Sequence, residues 1–263
     1  QTRTPDAHFF TEVRYKGAKT VAVTPDYAEI SKLCDLWLHP KQGTDAALAM
    51  AMGHVILNEF YFQERSAYFD DYARRYTDLP MLVLLKEHTL PGGATVLVPD
   101  RYVRASDFNG KLGQANNPDW KTVAFDLQGK VVLPTGAIGF RGGADGRADA
   151  GQWNLQAREA RHGSEVRLKL SVLETTPDQA SPETARVGFP YFGGIASEHF
   201  QNNPGADVLV RTVPVQRIAL GKEGDRREAL VATVFDLQVA NYGVPRGLAG
   251  ENAAADYDAD TPY

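Results

Sequence analysis

Behind Thr4-Pro5-Asp6, apolar side chains recur at helical spacing: Phe9, Phe10, Val13 and the stem of Arg14, until Gly17 stops the run. The opening triplet supplies a capping hydroxyl, a proline at the first helical position and a first-turn acid, so a helix is predicted from Thr4. The run Lys19 to Val23 (KTVAV) has no polar alternation once it begins, a pattern that predicts a strand buried on both faces. Asp26 to Leu33 reads as a short helix, and Leu36 to Leu38 as a second strand. Thr44 then caps a long helix from Asp45 to about Phe60, and Ser66 caps another that runs to about Tyr76. Helices alternating with strands in this way predict a parallel, Rossmann-like α/β layer over the first 80 or so residues.

Past Pro80 the pattern breaks into short runs punctuated by glycine and proline: PGGA at 91–94, NNPD at 116–119, and a glycine- and aspartate-rich loop at 139–151. Strands are predicted at Trp120 to Phe125, Lys130 to Leu133, Glu165 to Leu173, Val208 to Val213 and Leu230 to Ala240. The polar, proline-bearing stretch from Glu174 to Arg186 reads as an exposed loop. The expected fold class is therefore α/β: part of a parallel layer, then a mixed, mostly antiparallel β-rich region with long loops. In domain terms the division falls at residues 1–85 and 86–263.

Composition narrows the function without naming it. The 263 residues are 43% hydrophobic and 23% charged, with a formal net charge of -5, which excludes collagen-like, coiled-coil and wholly disordered chains. That charge balance gives no electrostatic footprint for nucleic acid or an anionic membrane surface, so nucleic acid is not an expected partner. Cys34 is the single cysteine and cannot form an internal disulfide. The longest apolar stretch, Ala46 to Leu57, is too short and interrupted to span a bilayer, so no transmembrane segment is expected.

Few residues carry an obvious chemistry. None of the six histidines stands at a metal-ligand spacing to another His, Cys or Asp, and no G-x-S-x-G nucleophile elbow occurs, so neither a catalytic residue nor a metal ligand is assigned. GAIGFRGGADG (136–146) lacks the Lys-Ser/Thr of a P-loop, and VGFPYFGG (187–194) reads as corner packing. The strand exits are more informative, because ligands of open parallel sheets bind at the carboxyl ends of the strands. Thr24, Pro25 and Asp26 follow the first strand, where a carboxylate can accept hydrogen bonds from ribose hydroxyls. Gly43, Thr44 and Asp45 follow the second. Glycine permits a close backbone approach, the first-turn amides form an anion site, and Asp45 can accept from both N1–H and the exocyclic amine of a guanine. Plain helix capping by Thr44 and Asp45 accounts for the same residues and stays open.

These segments also carry a resemblance. YKGAKTVAVTPDYAEISKLCDLWLHPKQGTDAALAMAMGHVI (15–56), YARRYTDLPMLV (72–83), LGQANNPDWKTVAF (112–125), GFPYFGG (188–194) and TVFDLQVANYGVPRGL (233–248) resemble the molybdopterin-dinucleotide oxidoreductase family, and within it the alpha subunits of membrane-bound respiratory nitrate reductases. The resemblance implies a molybdenum atom held between two molybdopterin guanine dinucleotides and a [4Fe–4S] cluster near the amino terminus. It further implies reduction of nitrate to nitrite with electrons from quinol. Those electrons pass through an iron–sulfur beta subunit and a haem-bearing membrane gamma subunit, at the cytoplasmic face of the inner membrane. By position, the family's guanine-nucleotide contacts fall on Gly43, Thr44 and Asp45, with Thr24, Pro25 and Asp26 at the first strand.

In that family the cluster ligands and the molybdenum-ligating aspartate precede the segment matched here. The chain opens on Gln1-Thr2-Arg3 and stops at Thr261-Pro262-Tyr263, so it is expected to be an internal piece of the catalytic subunit, inactive by itself. Two alternatives accompany this expectation. One is a sister enzyme acting on chlorate, selenate or a hydrocarbon, and the other is a non-enzymatic guanine-nucleotide-binding module.

Overall fold

The computed structural model describes residues 4–27, 29–89, 93–108, 112, 121–136, 157–159, 164–174, 183–190, 208–222 and 224–251. The chain forms two compact units, Gln1–Gly53 and His54–Thr261. Across the described residues the fold is mixed α/β, with a small parallel sheet and a five-stranded mixed sheet closed into a barrel.

In the first unit, α1 (Thr4–Tyr15) carries Asp6 in its first turn and Arg14 in its last, each matched to the nearer end of the helix dipole. Gly17 takes φ +88°, and its amide donates to the Arg14 carbonyl at 2.9 Å, ending the helix where the sequence predicts. Strands β1 (Val21–Val23) and β2 (Leu36–Leu38) then pair in parallel, with Ala22 opposite Trp37. Their shared start is pinned by Asp35, whose Oδ2 accepts from the Thr20 amide at 2.9 Å and the Thr20 hydroxyl at 3.0 Å.

Two expectations are corrected here. Strand β1 is not buried on both faces: Ala22 is buried, whereas Val21 and Val23 are each 52% exposed. Successive side chains point to opposite faces, and among the described residues only the Ala22 side is covered. The helix expected over Asp26 to Leu33 contracts to a single 3₁₀ turn, Ser31–Leu33. At its intended start the Thr24 hydroxyl donates to Asp26 Oδ1 at 2.9 Å, a local bond that competes with helix nucleation.

Helix α2 (Asp45–Leu57) begins with the Leu48 amide donating to the Thr44 carbonyl. It passes into a wider π-helical turn, Asn58–Gln63, before α3 (Ala67–Tyr76). Ser66 caps α3 as predicted, its side chain accepting from the Phe69 amide at 3.4 Å.

The second unit is built on a barrel in the order β10-β11-β3-β4-β9. Its strands are β3 (Leu82–Thr89), β4 (Thr95–Tyr102), β9 (Glu183–Pro190), β10 (Val208–Lys222) and β11 (Asp225–Thr233). Every pairing is antiparallel except β4 with β9, which meet in parallel at Leu97 and Val187 and close the ring. The long strand β10 makes closure possible, pairing with β9 through Val208–Val215 and with β11 through Gln216–Lys222. Short pairs β5 (Ala124–Phe125) with β6 (Val131–Val132), and β7 (Pro134–Gly136) with β8 (Ala157–Glu159), lie outside the barrel sheet.

Strand β3 shows why the barrel is stable. Leu82 and Leu84 join one buried cluster with Val103, Phe125, Leu133 and Ile218, while Val83 and Leu85 join another with Val187, Val213 and Ala232. Both faces of the strand are therefore core, each such side chain contributing about 1.5–3 kcal/mol of burial.

Two strand expectations fail in this unit. Leu230 to Ala240 is not one strand, because β11 stops at Thr233 and α4 (Val234–Asn241) begins. The Thr233 hydroxyl accepts from the Asp236 amide at 3.0 Å and donates to Asp236 Oδ2 at 2.9 Å, a reciprocal cap that starts the helix. Within Glu165 to Leu173 the ladder reduces to isolated bridges, at Glu165 and between Leu168 and Asp126. Further on, side chains serve the backbone: Asp236 accepts from the Val172 amide, and Glu174 from the Leu170 amide. The loop at 139–151 and the residues after Pro190 in the 187–194 motif lie outside the described residues.

Candidate functional site

All six sequence-predicted site residues leave the carboxyl end of the parallel pair. Beyond the last strand register, Val23 with Leu38, the Thr24 amide still donates to the Leu38 carbonyl at 3.1 Å. The Trp37 indole Nε1–H donates to the Thr24 carbonyl at 3.0 Å, so Thr24 is held from both sides of its peptide. Pro25 and Asp26 follow at the surface. The Asp26 carboxylate takes the Thr24 hydroxyl on one oxygen and exposes the other edge.

From β2 the chain runs through His39 and Pro40 to Gly43, which is exposed and has φ +80°. A Cβ built on Gly43 would meet nothing within 4 Å, so the glycine serves backbone conformation and leaves open space above it. The Thr44 hydroxyl does not cap α2 as expected. It donates to the Lys41 carbonyl at 2.6 Å, while the Thr44 carbonyl starts the helix. Asp45 stands exposed at the helix N-terminus and makes no hydrogen bond or ion pair with another described residue.

Sequence reasoning missed the aromatic floor of this edge. Trp37 and His39 lie two residues apart, on one face of β2 and its extension, with ring centroids 4.8 Å apart and planes 33° from parallel. Tyr27 meets Trp37 edge-on, at 5.1 Å and 70°. A cavity of about 320 Å³ is lined there by Trp37, Leu38, His39, Pro40 and Leu48. The period-2 spacing of the two rings at a strand exit was the available signal.

A larger cavity, about 610 Å³, lies in the second unit beside Arg65, Asp70, Arg74, Glu165 and Arg167. Asp70 and Arg74 are already committed to one another and to their neighbours. Asp70 accepts from Arg74 Nε and Nη2 at 2.9 and 2.8 Å, from Arg65 at 3.2 Å and from Arg167 at 2.7 Å. Glu174 takes the far edge of Arg74 at 2.7 and 2.9 Å, and Arg74 also donates to the Leu168 carbonyl. Burial raises the Asp70 pKa, but the three guanidinium groups outweigh it and hold the carboxyl well below its ordinary range. With four donors on its one carboxylate Asp70 is saturated, and the cluster is a clamp between α3 and the 164–174 segment.

Among the described residues no group of three or more His, Cys, Asp and Glu is placed to hold a metal ion. His54 is buried, its Nδ1 2.6 Å from the Tyr242 carbonyl oxygen. No helix of the described residues is long and apolar enough to cross a membrane.

No protein-family model matches the chain. Individual relatives do. The respiratory nitrate reductase 1 alpha chain of Escherichia coli K12 is 55% identical over 263 residues, which is all of this chain and 20% of the relative. The respiratory nitrate reductase 2 alpha chain of the same organism is 52% identical over the same span, again 20% of its length. The nitrate reductase alpha chain of Bacillus subtilis is 41% identical over 263 residues, 19% of its length. The chain thus spans about a fifth of the length of the curated relatives it matches. Along its whole length the chain is therefore similar to respiratory nitrate reductase alpha chains.

Proposed function

We propose that the chain works as part of the catalytic subunit of a respiratory nitrate reductase, forming a stretch of the wall that holds a molybdopterin guanine dinucleotide. The observation that carries this reading is the 55% identity over all 263 residues with a respiratory nitrate reductase alpha chain. When bound, the bis(molybdopterin guanine dinucleotide) molybdenum centre supplies removal of an oxygen atom from nitrate, leaving nitrite. The chain's own residues bind and orient.

The residues at the sheet edge suit a guanine nucleotide. Asp45 offers two free acceptor oxygens to the paired N1–H and amine donors of guanine. Asp26 offers an acceptor for a ribose hydroxyl, and Gly43 leaves room for a close backbone approach. The Thr44 hydroxyl, turned back to Lys41, leaves the first-turn amides of α2 to face an oxyanion. In this reading the dinucleotide-binding portion lies within residues 1–85. Residues 86–263 are connecting and β-rich structure of the same subunit.

The [4Fe–4S] cluster would be held by residues outside this chain. An iron–sulfur beta subunit and a haem-bearing membrane gamma subunit complete the electron path from quinol, at the cytoplasmic face of the cell membrane. Asp45→Asn in the intact protein tests the reading, with molybdenum and guanine nucleotide retained per chain as the measured quantities. One acceptor oxygen becomes a donor facing guanine donors, so retention is expected to fall. Unchanged retention would leave Asp45 as a helix-terminal charge and nothing more.

A further inference from the structure

We infer that the Trp37–His39 pair is a stacking shelf for the purine base of the nucleotide whose edge Asp45 reads. This inference rests on the proposed guanine-nucleotide site and adds to it a group that grips the face of the base rather than its edge. The shelf is preset. The indole N–H bond to the Thr24 carbonyl, at 3.0 Å, fixes the rotation of Trp37, and Tyr27 meets it edge-on at 5.1 Å. The His39 ring packs against the indole, with centroids 4.8 Å apart and planes 33° from parallel, and both rings line the same cavity.

The cavity above this surface, about 320 Å³, is at the low end of small-molecule sites, which run from about 300 to 1,000 Å³. That suits one base and not a whole dinucleotide. Its remaining walls are apolar, Leu38, Pro40 and Leu48, as the flat face of a heterocycle requires. Leu48, which lines the cavity, sits three residues after Asp45 in α2, a spacing that puts the two side chains on neighbouring positions of one helix face. Face and edge are thereby divided between two elements. The aromatic pair of β2 holds any planar base, and Asp45 selects guanine.

That division makes the two roles separable. In the intact, cofactor-free protein, binding of GMP and AMP is measured by titration calorimetry for wild type, Trp37→Leu, Trp37→Phe, His39→Ala and Asp45→Asn. Stacking tolerates every base, so Trp37→Leu is expected to weaken GMP and AMP by the same factor, roughly 5- to 150-fold, the range of base–aromatic stacking. Trp37→Phe should recover most of that loss, because a ring is restored although the indole N–H is not. His39→Ala, at an exposed position, should weaken both nucleotides several-fold.

Unchanged GMP affinity in Trp37→Leu overturns the shelf, as does a loss that phenylalanine fails to restore. If Trp37→Leu does not fold, unchanged affinity in His39→Ala overturns it. Asp45→Asn reports separately. It should erase the preference for GMP over AMP, and if that preference persists, the edge reading fails while the stacking result stands. Absence of GMP binding to wild type overturns both.

Discussion

Asp236→Asn is expected to cost far more than Asp70→Asn, although both remove a carboxylate that binds arginine. Asp236 is fully buried and accepts four donors: the Ser171 hydroxyl at 2.6 Å, the Val172 amide at 2.9 Å, the Thr233 hydroxyl at 2.9 Å and Arg246 Nη1 at 2.6 Å. The Arg246 side chain is 2% exposed, and Asp236 is its ion-pair partner among the described residues. Asparagine would strand that guanidinium in the interior and point amide protons at donors, a loss of about 3–5 kcal/mol. In Asp70→Asn, Arg74 keeps both bonds to Glu174, and Arg65 and Arg167 are more than half exposed and return to water. The expected loss there is about 1.5–3 kcal/mol, that of hydrogen bonds to a charged group. Hydrogen exchange of the α4 amides reads the first variant and of the α3 amides the second, with denaturant midpoints for both. A cost below about 1 kcal/mol for Asp236→Asn, on the scale of an exposed pair, would refute the reasoning. So would an equal or larger cost for Asp70→Asn.

Two further outcomes follow from the same geometry. Because the arginines hold the folded Asp70 pKa below its ordinary value, its contribution is complete above the unfolded carboxylate value of about 3.9 and is lost as pH falls through the lower, folded value. Acid titration of stability should therefore show a component below about pH 4 that Asp70→Asn removes, and identical acid slopes in the two proteins would contradict it. Gly43→Ala meets no steric obstacle within 4 Å, so its cost is the left-handed backbone alone, about 1–2 kcal/mol. A lowered denaturant midpoint checks this, and an unchanged midpoint would mean the segment before α2 does not need φ +80°.

How much of this was legible in the sequence depends on whether the deciding interaction was local. Gly17, Ser66 and the apolar triplet Leu36 to Leu38 act on their own neighbours, and the ends of α1, the start of α3 and the bounds of β2 fall where the pattern puts them. The barrel was not legible, because its evidence is non-local. Leu82, Val83, Leu84 and Leu85 form an unbroken apolar run whose alternate members enter two separate cores, so no alternation marks β3 as a strand. The start of α4 was legible but overlooked. Thr233 and Asp236 stand at the spacing of a capping box, and the β-branched residues before them drew the strand reading seven positions too far.

At the sheet edge the same contrast separates chemistry from placement. The types and spacings of Thr24, Asp26, Gly43 and Asp45 identify a carboxyl-terminal strand edge, since each follows directly from the strand before it. What the sequence does not contain is which way Thr44 turns its hydroxyl. By donating to Lys41 it gives up the capping role and leaves the first-turn amides of the helix without a side-chain cap. Trp37 makes the point more strongly. Read as a strand residue it is only a large apolar side chain. Its bond to the Thr24 carbonyl ties the exit of one strand to the ring at the exit of the other, so the first triplet and the aromatic surface are held together. A nucleotide site needs that rigidity, because a base gripped by its face is held at a fixed distance from the carboxylate that reads its edge.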